Sequence, residues 1–246
     1  MPHIFNEEYF EKYYEGWNNT SFLQRYLFGL VEFRKPLYKY IKKEKAGGKL
    51  VDLGCGVGAF LSLAQNDFNT YGADISEYAI SEAQKNSPKS KLKQFDGNKK
   101  LPFEDDFFDV TTSFDVVEHL DEPSGFIKEA ARILKKDGLL VFTTPNPHSL
   151  GKRLKKDDWH GYRDESHYSI KKSKEWKDMV LAEGFDIVKL RYDFLWDPPY
   201  IKNVPGIFRR VVEGLFLVGP TLPLYLLNIN RIKYLGENTL IIARKK

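Results

Sequence analysis

The stretch Val51-Asp52-Leu53-Gly54-Cys55-Gly56-Val57-Gly58-Ala59-Phe60 decides the fold. Lys49–Leu53 is a short apolar run of strand length, and Val57–Gln65 reads as the start of a helix. Three glycines at alternate positions join them. Glycine there removes side chains that would block a ligand and tolerates the dihedrals of a tight turn. The helix that follows turns its free N–H groups toward whatever occupies the turn. The spacing narrows the ligand. A dinucleotide fingerprint places its third glycine three residues past the second, and Gly58 is only two past Gly56. A phosphate-binding loop ends in Gly-Lys-Ser or Gly-Lys-Thr, which is absent here.

Downstream the chain alternates. Strands are expected at Thr70–Ala73, Leu92–Phe95, Val110–Ser113, Leu139–Thr143, Phe185–Tyr192 and Thr239–Ala243. Helices are expected at Ser76–Asn86, with Ser76 as N-cap, at Glu122–Lys136, stopped by Asp137-Gly138, and at Ile170–Glu183. Upstream, Leu23, Leu27, Leu30 or Val31, Leu37 and Ile41 give helical spacing over residues 21–43, with Pro36 expected to interrupt it. Strands alternating with helices of this length indicate a mostly parallel sheet with helices on both faces.

Each strand end carries a distinctive group. Asp74 closes the second strand, 20 residues after Gly54, where a carboxylate can accept bonds from both hydroxyls of a ribose. Phe95-Asp96-Gly97-Asn98 follows the third strand, and Ser113-Phe114-Asp115-Val116-Val117-Glu118-His119-Leu120 the fourth. Together with Leu101–Asp109, these motifs make residues 48–194 and the last strand resemble the class I S-adenosylmethionine-dependent methyltransferases, small-molecule type. The resemblance implies a Rossmann-like sheet of seven strands, the last antiparallel. It implies S-adenosyl-L-methionine as cofactor, a zwitterion with a ribose and no phosphate to neutralise. It places Asp52 near the methionine amine, Gly54, Gly56 and Gly58 in the cofactor-facing loop, and Asp74 on the ribose. Ile75 is then on one adenine face, Asp96 beside the adenine amino group with Gly97 giving a backbone contact, and Phe114 and Asp115 along the methionine portion. For Asp52, Asp74 and Asp96 the competing roles are turn bracing, helix capping and a polar turn.

A sulfonium already carries an activated methyl group. The protein's task is to align the acceptor and supply a base where the acceptor bears a proton. His119, His160 and His167 are the candidate catalytic bases, each with a structural role as the competing reading. The resemblance extends to Asp164–Ser169, which borders the acceptor pocket in several small-molecule members. No H-E-x-x-H occurs and no tight ligand spacing, so no metal site is expected. Asn146, in Thr144-Pro145-Asn146-Pro147, is a further candidate for facing the acceptor.

The chain of 246 residues suits a single α/β domain, 1–246, with a helical cap at 1–45 and acceptor-side insertions at 145–169 and 195–236. Tyr9, Tyr13, Tyr14 and Trp17 are candidate lid residues in the cap. Net charge is +4, and the run Lys152-Arg153-Lys155-Lys156 is followed at once by Asp157-Asp158, so no nucleic-acid partner is expected. One cysteine, Cys55, excludes an internal disulfide. The acidic, aromatic N-terminus lacks the build of a signal peptide, and the cytoplasm is the expected location. Residues 196–235 are apolar and broken by Gly219-Pro220 and Pro223. They are expected to form an acceptor lid, a homodimer surface or a peripheral membrane contact. The function that emerges is methyl transfer to a small, amphiphilic acceptor. Its rivals are a noncatalytic cofactor-binding or scaffold protein, methylation of a protein or nucleic acid, and a nicotinamide-dependent oxidoreductase.

Overall fold

The computed structural model describes residues 5–14, 34–197, 200, 206–213, 215, 219–226 and 231–246. Leu23, Leu27, Leu30, Val31 and Trp17 lie outside the described residues. Seven strands form one sheet: β1 (Lys49–Leu53), β2 (Asn69–Asp74), β3 (Lys91–Gln94), β4 (Phe108–Phe114), β5 (Leu134–Pro145), β6 (Phe185–Tyr192) and β7 (Asn238–Lys245). Their order is β3-β2-β1-β4-β5-β7-β6. β1 runs parallel to β2 and β4, β2 parallel to β3, and β6 antiparallel to β7. This is the α/β, Rossmann-like, mostly parallel sheet expected from the sequence. The described helices are α1 (Glu7–Tyr14), α2 (Arg34–Glu44), α3 (Ala59–Ala64), α4 (Glu77–Asn86), α5 (Pro123–Ile133), α6 (Leu150–Lys155), α7 (His160–Arg163), α8 (Ser173–Ala182), α9 (Gly206–Glu213) and α10 (Gly219–Leu226).

The chain divides into two compact units. One comprises Met1–Phe114 with Arg132–Leu139, and the other Asp115–Ala131 with Leu140–Lys246. In the first, Leu50, Val51, Phe60, Leu61 and Val110 are buried, together with Leu37 and Ile41 of α2. Pro36 does not interrupt the described part of that helix, in which it is the third residue. Ser76 caps α4 as the sequence implies, its hydroxyl accepting from the Ala79 N–H at 3.2 Å. Edge strand β3 carries Lys91 and Lys93, charges that discourage pairing with a further strand.

One helix boundary is corrected. Lys135 and Lys136 belong to β5, because the helix ends at Ile133 and Asp137 takes a left-handed φ of 62°. The Lys135 ammonium, 2.9 Å from both Asp109 oxygens, anchors the extended backbone there. Residues 145–169 contain α6, α7 and the 3-10 turn Lys156–Asp158. Their anchor is Trp159, fully buried in the second unit with its indole N–H donating to Glu237 at 2.8 Å. Gly151 has no side chain because a Cβ would sit 1.8 Å from the Glu237 carboxylate.

Candidate functional site

The glycine loop is built by its neighbours in the first unit. Gly54, Gly56 and Gly58 all have left-handed φ, at 74°, 51° and 80°. A side chain at any of them would strain the backbone. The Gly54 and Cys55 N–H groups donate to the Ala73 carbonyl at 2.7 and 3.1 Å. Gly58 also brings α3 close to α4, because a Cβ there would meet Ala83 and the Ser87 hydroxyl at 3.0 Å. Against this loop lies a cleft lined by Arg34, Asp52, Gly54, Gly56, Phe60 and Phe114, among others. The Phe60 and Phe114 rings meet edge-on at 4.8 Å and form an apolar wall.

Two carboxylates serve the loop differently. Asp52 is buried and accepts a 2.7 Å bond from the Thr112 hydroxyl. Burial pushes its pKa up to about 7, although Thr112 and the nearby Arg34 cation pull the other way. Such a carboxylate lacks the solvation that a cation beside it would replace. Asp74 holds the loop itself, one oxygen accepting from Gly56 N–H at 2.8 Å and the other from Ser76 N–H at 2.9 Å. Burial raises its pKa too, opposed by these backbone donors and by that of Ile75. Asp74 therefore braces the loop, whichever ligand its remaining lone pairs meet.

The other candidates are placed as follows. Asp96 is half-buried in a turn, accepting from Asn98 N–H at 3.0 Å and lying 3.6 Å from Lys99, with Gly97 beside it. Asp115, in the second unit, has a φ of 55° and accepts from the Thr143 hydroxyl at 2.9 Å. Arg34 also lines the cleft and carries no motif, while Val57 and Phe60 belong to the glycine-loop stretch without a role of their own assigned from sequence.

The three histidines divide in the second unit. His160 is packed between the rings of Trp159 (4.7 Å) and Trp196 (4.9 Å), and burial depresses its pKa to about 3. His119 and His167 meet, their ring centroids 4.5 Å apart. Burial and the His167 ring bring the His119 pKa down to about 4, so at neutral pH it is uncharged. His167 Nδ1 donates to the Gly161 carbonyl at 2.9 Å. Asn146 is fully buried and committed elsewhere: its amide donates to the Lys233 and Gly236 carbonyls and its oxygen accepts from His148 N–H. Of the described cap residues, Tyr9 packs against Phe5 and Phe10, at 5.0 and 5.5 Å.

Of the apolar 195–236 segment, α9, α10 and their described flanks place Phe208, Val211, Leu215, Ile232 and Tyr234 at the surface. Among the described residues no helix is long and apolar enough to cross a membrane.

Residues 21–190 match a family described as a methyltransferase domain. A probable S-adenosylmethionine-dependent methyltransferase of Mycolicibacterium smegmatis is 30% identical over half of each chain. The 2-methyl-6-phytyl-1,4-hydroquinone methyltransferase of Synechocystis is 32% identical, over 73% of this chain and 52% of its own. An uncharacterized protein of Methanocaldococcus jannaschii is 32% identical over 82% of this chain and 85% of its own. The chain thus spans about half the length of several curated relatives it matches. In fold, it resembles a Thermotoga maritima S-adenosylmethionine-dependent methyltransferase described as a possible histamine N-methyltransferase (TM-score 0.68, 21% identity, all of both chains). It also resembles the magnesium protoporphyrin IX methyltransferase of Synechocystis with bound S-adenosylhomocysteine (TM-score 0.66, 18% identity, 100% of this chain and 98% of that one). With the motif match over more than half its length and the sheet order described above, the chain belongs to the class I S-adenosylmethionine-dependent methyltransferase family.

Proposed function

We propose that the protein transfers the methyl group of S-adenosyl-L-methionine to a small, amphiphilic acceptor. The observation that carries this reading is the presence of both Asp52 and the Arg34 cation in a cleft floored by the glycine loop. A buried carboxylate and a cation in one cleft suit the ammonium and carboxylate of an amino acid, and the loop leaves no side chain in the way. The same cleft offers no Gly-Lys pair for a phosphate.

When bound, S-adenosylmethionine supplies an electrophilic methyl on a sulfonium and leaves as the neutral thioether. Asp52 orients the amine end, and its proton is displaced as the cation arrives. Asp74 keeps Gly56 in place and has lone pairs left for the ribose hydroxyls. Ile75, Asp96 and Gly97 fit the adenine side, and Phe114 and Asp115 the methionine side. Phe60 and Phe114 exclude water from the apolar wall, which favours attack by an acceptor lone pair over hydration. His119 and His167 are the stronger candidates for taking the acceptor's proton, since His160 is held between two tryptophans.

A small amphiphilic acceptor draws support from relatives named for a phytyl hydroquinone and for magnesium protoporphyrin IX. The surface-exposed Phe208, Val211 and Leu215 accord with apolar material meeting the 195–236 segment, as acceptor, second copy or membrane surface. Calorimetric titration of the purified chain with S-adenosylmethionine, with NAD as comparison, tests the cofactor. Saturable binding of the first alone is expected. Binding of NAD alone sinks the reading, and binding of neither to folded protein leaves the scaffold role.

A further inference from the structure

Outside the glycine loop, three donor side chains converge in the second unit. Glu118, His119 and His167 each present a ligating atom, and all three atoms lie within 4.8 Å of one another. Glu118 and His119 are neighbours in the 3-10 turn Val117–His119, whose tight winding lets adjacent residues serve one point. His167 arrives from 48 residues downstream, held by the turn in which its N–H bonds the Asp164 carbonyl.

Hydrogen bonding leaves the three poised as ligands. The Glu118 side chain is fully buried, and neither of its oxygens has a hydrogen bond of regular geometry. Burial above all drives its pKa well up, with Asp115 and Asp164 acting as like charges, against the opposing pull of its own backbone N–H and the Thr144 hydroxyl. Burying a carboxyl so poorly satisfied is costly unless something replaces the lost water. The rings have their other nitrogens fixed. His167 Nδ1 faces the Gly161 carbonyl, which can only accept, so this nitrogen carries the proton. His119 Nδ1 lies 2.9 Å from Ser166 Oγ and 3.2 Å from the Ser166 carbonyl. Ser166 Oγ spends its own proton on Asp164, so it accepts from His119. Nδ1 is therefore the anchored nitrogen of each ring, and His167 Nε2 lies 3.8 Å from an Asp164 carboxylate oxygen. A ring N–H anchored on a backbone carbonyl or hydroxyl is the arrangement that orients histidines toward a metal.

We propose that Glu118, His119 and His167 bind a divalent transition-metal ion of the zinc class, with a fourth position open. One carboxylate oxygen and two imidazole nitrogens suit zinc, cobalt or nickel rather than calcium or magnesium. Bonds of about 2.0–2.1 Å put tetrahedral ligand atoms about 3.3 Å apart, so the widest pair would close by at most about 1.5 Å, within reach of side-chain rotation. The ion would stand against the charged Glu118 carboxylate and replace the water that burial has taken from it. Asp115 and Asp164 then become favourable neighbours instead of repulsive ones. Binding of the ion does not depend on methyl transfer, but where it binds, His119 and His167 act as ligands in place of the proton-accepting role given them above. Only its use, to hold an acceptor oxygen at the fourth position and lower its pKa, rests on that reading.

The chelator-treated chain is titrated with zinc chloride by calorimetry, with magnesium chloride as comparison. Cobalt(II) absorbance in the visible reports four-coordination directly. Saturable, stoichiometric zinc binding is expected, together with a four-coordinate cobalt spectrum and no comparable magnesium binding. E118Q, which keeps the side-chain shape, and H167A should each weaken zinc by roughly ten- to a hundredfold or more. H148Q, at a histidine outside the cluster, should leave the affinity unchanged. The proposal is overturned by the absence of saturable zinc and cobalt binding, by binding that E118Q and H167A leave intact, or by binding that H148Q abolishes. Because these readouts are metal binding and the cofactor titration is separate, either idea can fail alone.

Discussion

Asp52 makes the ligand-free protein lose stability as the pH rises, and replacing it should remove that loss. Its folded pKa of about 7 stands above the ordinary aspartate value of 3.8. A group whose folded pKa is raised favours the folded state while protonated there, so its contribution is full at low pH and gone above the folded value. The span of about three pKa units is worth about 4 kcal/mol in all, and about 3 kcal/mol of it falls between pH 5 and 8. In D52N that side chain no longer titrates. Urea unfolding of the ligand-free wild type and D52N at pH 5 and pH 8 gives a double difference in which the other titrating groups largely cancel. The wild type is expected to lose about 3 kcal/mol more than D52N across that interval. Saturating S-adenosylmethionine should flatten the wild-type dependence, because the bound ammonium holds the carboxylate charged. Equal pH dependence of the two proteins, within about 1 kcal/mol, would refute the assignment of a buried, poorly solvated carboxylate at this position.

Gly58→Ala should destabilise the protein by about 2–4 kcal/mol, the sum of a left-handed alanine and crowding against Ala83 and Ser87, read by thermal unfolding. Asn146→Ala should cost about 2–4 kcal/mol, since it leaves the buried Gly236 carbonyl and the part-buried Lys233 carbonyl without their donor, and urea denaturation should show this with methyl-donor affinity unchanged. Asp74→Asn puts an amide where backbone N–H groups now donate. S-adenosylmethionine affinity by calorimetry should fall at least about tenfold, and an unchanged value would show that the loop does not need its brace.

The architecture was legible wherever glycine or proline bounds an apolar run. β1 and β6 match the sequence reading residue for residue, and the Ser76 cap lies where its spacing puts it. The reading stopped short at β5 because Lys-Lys-Asp-Gly has the composition of a turn, and only the Asp109 anchor explains why it stays extended. The helices at 150–163 are four to six residues long, too short for periodicity to register, and their anchor Trp159 stood inside a polar run. Around the glycine loop, the family resemblance exposed Asp52, and spacing exposed Asp74. It was blind to Arg34, which a periodic reading scores only as a polar position on a helix. It was blind also to the meeting of His119 with His167, because motif spacing is a local property and their contact is made by tertiary structure.

Glu237 sets an order of events for folding. It accepts from the Ser149 hydroxyl and the Trp159 indole, 88 and 78 residues upstream. Next to it, Gly236 takes the Asn146 amide across 90 residues. Pairings so remote cannot form until a long intervening loop has closed, so they belong to the late side of the folding barrier. Mutations at Glu237 should accordingly speed unfolding far more than they slow folding. During synthesis, Trp159 has to wait for residue 237 to emerge before its indole finds its partner, so a nascent chain exposes that ring to chaperones until the last strand docks.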